Sequence, residues 1–351
     1  MATERIISAQ AVGEEEERQL LSLRPSSIGE YVGQHELMER LRIAIEACQR
    51  RNEPVEHILL HGPPGLGKTT LAHVIAHEMG GRLAVTSGPA LARGTDLVAA
   101  LTRLEAGDVL FIDEVHRLPI AVEEFIYPAM EDFRIDVTVD SGLHARTVQI
   151  KCKPFTLIAA TTRAGLLSGP LRSRFGLTHH LRYYDKGELL QILSRSAGLL
   201  GMAAGGGAGL HAALERIADR SRGTPRIANR LLRRVRDFAD VRAGGELSGA
   251  IVEDALRLEG VDALGLDELD RAYLRVIGEV YKGGPVGLET VAATMNQDAG
   301  TLEDVLEPYL LQIGFLARTR RGRMLTQRGA EHVGVKVPER EEPADGEVGL
   351  F

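Results

Sequence analysis

The densest chemistry in the 351-residue chain lies in GPPGLGKT, residues 62–69. The string fits G-x-x-x-x-G-K-[ST], the phosphate-binding P-loop. Gly65 and Gly67 let the backbone wrap a phosphate with no Cβ in the way. Backbone N–H groups and the start of a following helix then face the anion. Lys68 sets a cation on the β- and γ-phosphates, and the Thr69 hydroxyl suits Mg2+. The pattern therefore predicts ATP as the ligand, with Mg2+ beside it.

VLFIDEVH (109–116) supplies what such a loop needs next. An apolar run leads to Asp113, placed to hold the metal through water, and Glu114, placed to polarise the attacking water. Alone, this pair could be a solvated strand edge; beside a P-loop it predicts hydrolysis. AATTRAG (159–165) also ends a strand, and Thr161 or Thr162 would bring a hydroxyl near the γ-phosphate, although Thr pairs often simply finish strands. GPLRSRFG (169–176) offers Arg172 and Arg174 against Leu171 and Phe175. An arginine at a transferred phosphate stabilises transition-state charge and can come from a neighbouring subunit. SRGTPRIANRLLRRVRDFA (221–239) opens a basic helix from which Arg226 reaches nucleotide, while Arg230, Arg233 and Arg236 read as a solvated face.

The elements that must position these residues follow from periodicity. HILLHG (57–62), GDVLFIDE (107–114) and PFTLIAATTRA (154–164) are short apolar runs and read as buried strands. HELMERLRIAIEACQRR (35–51) and KTTLAHVIAHEMGG (68–81) read as helices, the second with a Gly-Gly stop. Strands alternating with helices predict a parallel α/β sheet. Within 132–150, Ile135, Val137 and Val139 alternate with polar residues, Asp140-Ser-Gly142 turns, and Val148 and Ile150 resume, which predicts a β-hairpin. Residues 185–260 read as helical, broken by GMAAGGGAG (201–209). Residues 261–334 bring a Gly-Gly-Pro turn at 283–285 and an arginine cluster, and an acidic tail follows.

Composition narrows the classes. With 44% hydrophobic and 26% charged residues the chain reads as soluble and globular, and no window approaches the ~18 apolar residues of a membrane span. MATERIISAQ lacks the apolar core of a secretory signal, and the acidic run Glu14–Glu17 reads as a solvated arm. Cys48 and Cys152 stand far apart, which excludes a disulfide framework and fits a reducing, cytoplasmic setting. His73 and His77 share a helix face without the third ligand a metal site needs. The net charge of −7 gives no bulk attraction to nucleic acid, so DNA binding would need a local patch. RTRRGRMLTQR (318–328) is such a patch, with no acidic residue in it and Gly322 suggesting the turn of a β-wing. With 4% aromatics and no Trp, a stacking platform for single strands is poorly supported, and phosphate contact to duplex fits better.

LRPSSIGEYVGQ, GPPGLGKTTLA, GDVLFIDEVHRL, EEFIYPAMEDFRID, PFTLIAATTRAGLLS, RGTPRIANRLLRRVRDFA and EDVLEPYLLQIGFLARTRRGR, in this order over about residues 20–334, resemble the RuvB family of AAA+ ATPases, the bacterial motors of Holliday junction branch migration. The resemblance implies an α/β P-loop AAA+ lobe over 1–184, a small all-helical lobe over 185–260, a C-terminal winged-helix head over 261–336 and a tail over 337–351. It implies a homohexameric ring on double-stranded DNA, with RuvA docked on the 135–150 hairpin and RuvC a further partner in the same complex, acting in recombination, DNA repair and the SOS response. Carried onto these positions, Leu23 and Arg24 lie at the nucleotide base. Gly65, Gly67, Lys68, Thr69 and Thr70 lie on its phosphates, and Glu131, Asp132, Phe133 and Tyr184 complete the pocket. Thr69 and Asp113 serve the metal, Lys68, Asp113, Glu114 and Thr161 serve catalysis, Arg174 is the arginine finger and Arg226 the second-domain sensor. Arg318, Arg321 and Arg323 touch DNA. Ser173, Ala299, the lysine-free TSGPALARGTD (86–96) and the long 201–209 loop depart from the family pattern. The reading outside this family is an AAA+ initiator or clamp-loader subunit, a nucleotide-switched DNA-binding module.

Overall fold

The computed structural model describes residues 6–7, 21–139, 146–202 and 208–338. The acidic run 14–17, the hairpin turn 140–142 and most of the 201–209 loop and the tail lie outside them. The chain folds as two compact units. One comprises Ala11–Gly206 with Gly223–Leu232, the other Met1–Gln10, Gly207–Arg222 and Arg233–Phe351.

The first unit is framed by five strands, β1 Ile58–His61, β2 Leu83–Ser87, β3 Val109–Asp113, β6 Thr156–Thr161 and β7 Leu177–His180, in the order β2-β3-β6-β1-β7. Every pairing is parallel. The three central strands are the three apolar runs read from the sequence, and each is buried almost end to end, as a sheet covered on both faces requires. The two flanking strands escape such a reading. LAVTS and LTHH lie at the sheet's edges, where half-coverage admits Thr, Ser and His, and four or five residues are too few for a clear period.

α1 His35–Arg51 precedes β1, and four helices connect the strands: α2 Lys68–Glu78, α3 Gly94–Leu101, α4 Ile120–Asp132 and the short α5 Gly169–Ser173. A sixth, α6 Lys186–Leu199, follows β7 and is started by a capping box in which Asp185 accepts from the Glu188 N–H. α2 ends at Glu78, just before the Gly80-Gly81 stop, and Gly80 takes a φ of 69°. Because every strand runs the same way, the sheet has one carboxyl edge and one amino edge. His61 is registered with Thr161 and His180 at the first, and Ile58 with Leu177 at the second.

β4 Arg134–Val139 and β5 Arg146–Lys151 form the expected antiparallel ribbon, with Ile135 opposite Ile150 and Val137 opposite Val148. The apolar side at its root is not a free face. Ile135 is wholly buried in the sheet's core with Phe155, Met130 and Ala129, and Val137 and Ile150 pack against that core. Val148, farther out on the same side, is 47% exposed. At Ile135 and Val137 the apolar side of the hairpin therefore packs on the body, while the side chain of Val139 lies outside the described residues.

The second unit carries α7 Ala208–Asp219, the later part of α8 Pro225–Arg242, and α9 Gly249–Leu258. Its remainder is a winged helix. This has α10 Glu268–Arg275, a π-turn Val276–Val280, α11 Leu288–Met295, a second π-turn Leu302–Leu306, α12 Glu307–Gln312, the wing strands β8 Leu316–Thr319 and β9 Gly322–Leu325, and α13 Gln327–Val333. Tyr273, Leu274, Ile277, Leu302, Leu306, Leu310 and Phe315 fill its core.

Ile135→Ala removes side-chain volume from a site with no exposure and should cost about 2–4 kcal/mol. Val148→Ala should stay within about 0.5 kcal/mol. Urea unfolding of the two variants checks this, and equal costs would mean the ribbon root is not core.

Candidate functional site

The P-loop leaves the carboxyl end of β1 and closes on the first turn of α2. Gly62, Gly65 and Gly67 take φ of 139°, 76° and 95°, in the region that favours glycine. A Cβ on Gly62 would come 2.6 Å from the Leu181 carbonyl, and one on Gly67 3.1 Å from the Tyr31 hydroxyl. Lys68 is only 8% exposed, and its Nζ donates to the Gly62 and Pro63 carbonyls at 2.8 Å each. The ammonium thus bonds its own loop, with carbonyls as stand-ins for phosphate oxygens. Burial pulls its pKa down to about 8; the Asp113 carboxylate opposes the shift and Arg226 adds to it. Thr69 and Thr70, half-buried, follow on the helix's first turn.

Asp113 ends β3 on the same edge of the sheet. Burial raises its pKa, partly offset by the Glu114 N–H, which donates to its Oδ1 at 2.9 Å, and by Lys68. Glu114 turns the chain with a φ of 48°, and its Oε2 accepts from Arg117 at 2.9 Å. Of the two candidate threonines, Thr161 is the buried one: its Oγ1 lies 2.9 Å from His116 Nδ1 and accepts from the Arg163 N–H. Thr162 is exposed. The turn after β3 and the end of β6 are thereby tied together through His116, a link the motifs did not announce. Arg226 completes this edge, its N–H 3.4 Å from the Gly65 carbonyl.

A second wall stands beside the loop. Leu23 is buried, and Arg195 donates to the Leu23 and Arg24 carbonyls at 2.7 and 3.2 Å while pairing with Glu30 at 3.0 Å. Tyr184 is buried against Gly33, where a Cβ would come 2.6 Å from its ring. Its hydroxyl lies 3.1 Å from that of Tyr31 and donates to the Leu66 carbonyl at 3.3 Å. Burial pushes Tyr31 up to about 12 and Tyr184 well above its ordinary value, so both stay neutral. Gln34 brackets the Arg182 backbone, donating to its carbonyl at 2.7 Å and accepting from its N–H at 3.3 Å. Tyr31, Gln34 and Arg195 were not singled out from the sequence; only the first two sit inside a quoted string, YVGQ.

Four expected pocket residues lie at the other edge of the sheet. Phe133 sits 6.5 Å from His57 and 5.9 Å from Phe155, ring centre to ring centre, and these precede β1 and β6. His57 also bonds the Met130 carbonyl at 3.0 Å. Asp132 pairs with Arg134 at 3.3 Å. Arg174 comes just before β7, its guanidinium 4.1 Å from the centre of the Tyr127 ring and its Nε 3.0 Å from Glu131. Glu131, Asp132, Phe133 and Arg174 therefore do not complete the pocket built by this chain's own P-loop. The reason is directional: α4 starts near the carboxyl end of β3 and runs to the amino edge, and α5 descends to that edge as well.

In the head, Arg318 and Arg323 are partners across β8 and β9. The sequence reading offered both to DNA phosphate. The structure commits both to carboxylates on the π-turn and α12: Arg318 Nε donates to Glu307 Oε2 at 2.8 Å, and Arg323 Nε to Glu307 Oε1 at 2.8 Å. Arg320 and Arg321 are exposed at the wing's turn.

Comparison with known proteins agrees along the chain. Residues 23–181 match the model of the Holliday junction DNA helicase RuvB P-loop domain. Residues 184–262 match the RuvB AAA lid domain and 263–334 the RuvB C-terminal winged helix domain. The Holliday junction branch migration complex subunit RuvB of Kosmotoga olearia is 52% identical over 332 residues, covering 95% of each chain. That of Desulfosudis oleivorans is 53% identical over 317 residues, covering 90% of this chain and 91% of its own. The structure of the Thermotoga maritima RuvB Holliday junction branch migration motor superposes with a TM-score of 0.81 at 50% identity, covering 90% of this chain and all of that one.

A lysine held near pKa 8 has a consequence for ligand binding. A phosphate favours the ammonium, so only the protonated fraction of the free protein binds tightly. Nucleotide affinity should be flat below about pH 8 and fall roughly tenfold per unit above it. Titration with a fluorescent nucleotide between pH 7 and 9.5 checks this, and an unchanged affinity at pH 9.5 would contradict it.

Proposed function

The chain belongs to the RuvB family, and from that premise we infer that it is an ATP-hydrolysing DNA motor that drives branch migration of Holliday junctions in recombination and repair. ATP with Mg2+ supplies the phosphoanhydride whose hydrolysis powers movement. The residues present fit that group: a glycine cradle with no room for a Cβ at Gly62, and a buried cation in carbonyl contact where phosphate oxygens belong. Lys68 and the loop N–H groups bind the phosphates. Thr69 and Asp113 hold the metal, and Glu114 orients the water once it leaves Arg117. Thr161 and Arg226 read the γ-phosphate, and Tyr184, Leu23 and Arg24 wall the base.

The observation that carries this reading further is the separation of Lys68 from Arg174. They occupy opposite edges of one parallel sheet, so an arginine finger at 174 serves the pocket of a neighbouring copy. Glu131, Asp132 and Phe133 travel with it and line the same junction between copies. That arrangement suits a homohexameric ring around duplex DNA, acting in the cytoplasm. The outer part of the ribbon around Val148, whose root is already packed, suits RuvA, the partner that brings the motor to the junction; RuvC would join the same complex. The head suits duplex phosphate, beginning with Arg320 and Arg321 and extending to Arg318 and Arg323.

Rings mixed from Lys68→Ala and Arg174→Ala subunits test the assignment in trans. Each parent alone should be inactive, and the mixture should regain DNA-stimulated ATPase where an intact Lys68 pocket meets an intact Arg174. An arginine finger contributes about 10³–10⁵ in rate, so recovery is readable above either parent. Mixtures as inactive as both parents, in rings shown to be mixed, would overturn it.

A further inference from the structure

Arg318 and Arg323 face each other directly across β8 and β9, and like charges so placed repel. Two carboxylates from one helical segment answer them. Glu307 is wholly buried beneath the wing and takes the Nε of both arginines together with the Tyr273 hydroxyl. Glu303, one turn earlier, sits at the rim, 39% exposed. Its Oε1 lies 3.2 Å from Arg323 Nη2 and 3.6 Å from Arg318 Nη2. Two positive and two negative groups leave the cluster neutral in a chain of net charge −7.

The two carboxylates are not equivalent. Burial alone would raise the Glu307 pKa, but the bonds from Arg323 and Tyr273 and the Arg318 charge outweigh it and hold it low. Glu307 is the anchor that seats the wing on the helix. Glu303 holds the wing by a single hydrogen bond, from Arg323 Nη2; its only ionic partners among the described residues are these two arginines, and solvent reaches it. A guanidinium has five donors, and Arg318, 43% exposed, keeps several for another oxyanion.

We propose that Glu303 is an electrostatic gate on the wing, a carboxylate that competes with duplex phosphate for the Arg318–Arg323 pair. The proposal rests on the reading of the head as a duplex-phosphate binder. When duplex arrives, phosphate replaces Glu303 at Arg318 while Glu307 keeps the wing in place. The gate lowers resting affinity, which suits a motor that must release each phosphate it grips.

Duplex binding by the full chain, followed by anisotropy of a labelled random-sequence duplex across a salt series, tests this. Glu303→Gln and Glu303→Ala should both bind roughly two- to fivefold tighter. Both should keep the parent's log–log salt slope, because the same phosphates are contacted once Glu303 is displaced. A thermal midpoint taken on each variant shows that the head remains folded. Unchanged affinity in both variants would overturn the gate. Arg320→Ala with Arg321→Ala separates the two levels. If that pair weakens binding while the Glu303 variants are silent, the gate fails and the head reading stands. If neither set moves affinity, the head reading itself fails and the gate with it.

Discussion

A parallel sheet has two different edges, and the placement of every catalytic group in the ATPase unit depends on that. Strand carboxyl ends collect at one edge, so the P-loop after β1, Asp113 after β3 and Thr161 at the end of β6 meet there without long loops. The amino edge receives what returns from it: the end of α4 with Glu131, and α5 with Arg174. A strand of four to six residues rises only about 3.3 Å per residue, yet that is enough to keep Arg174 from Lys68 of the same chain. The separation of Arg174 from Lys68 is therefore a property of the topology.

Buried charge is the second thread, and it is handled by pairing in each case. Lys68 bonds the carbonyls of its own loop, Arg174 lies over Tyr127 beside Glu131, and Arg222 meets Asp270 in the interior of the second unit. Glu307 gathers two arginines and a tyrosine. Arg222–Asp270 and Glu307 are interior groups that hold the second unit together, and leaving any of them unpaired would be costly. Glu114 and Arg117 pair in the same way, though both side chains are about half exposed.

How much of this could be read beforehand varied with physical signal. GPPGLGKT and VLFIDEVH fixed their residues' places because glycine geometry and a buried run each have one structural meaning here. The three central strands and α1 were legible for the same reason; α1 spans His35–Arg51 as its periodicity predicted. β2 and β7 were not, since short edge strands carry mixed composition. Ile135 and Val137 showed alternation, but alternation alone does not say whether the apolar side meets the body or a partner. Glu131–Phe133 read as pocket residues because sequence order does not say at which end of the sheet a residue falls. The arginines of the wing were visible as a basic cluster, whereas Glu303 and Glu307, a helix away in sequence, gave no sign that they neutralise it.

We propose that the hydrolytic site is shared between copies of this chain. It is tested most directly by the ATPase rate per subunit measured across a wide dilution series, with the mass of the species followed at each concentration by light scattering. A shared site predicts that specific activity collapses, by about 10³ or more, as assemblies dissociate to single chains, while nucleotide binding to the single chain persists. Undiminished turnover by a species with the mass of one chain would contradict it.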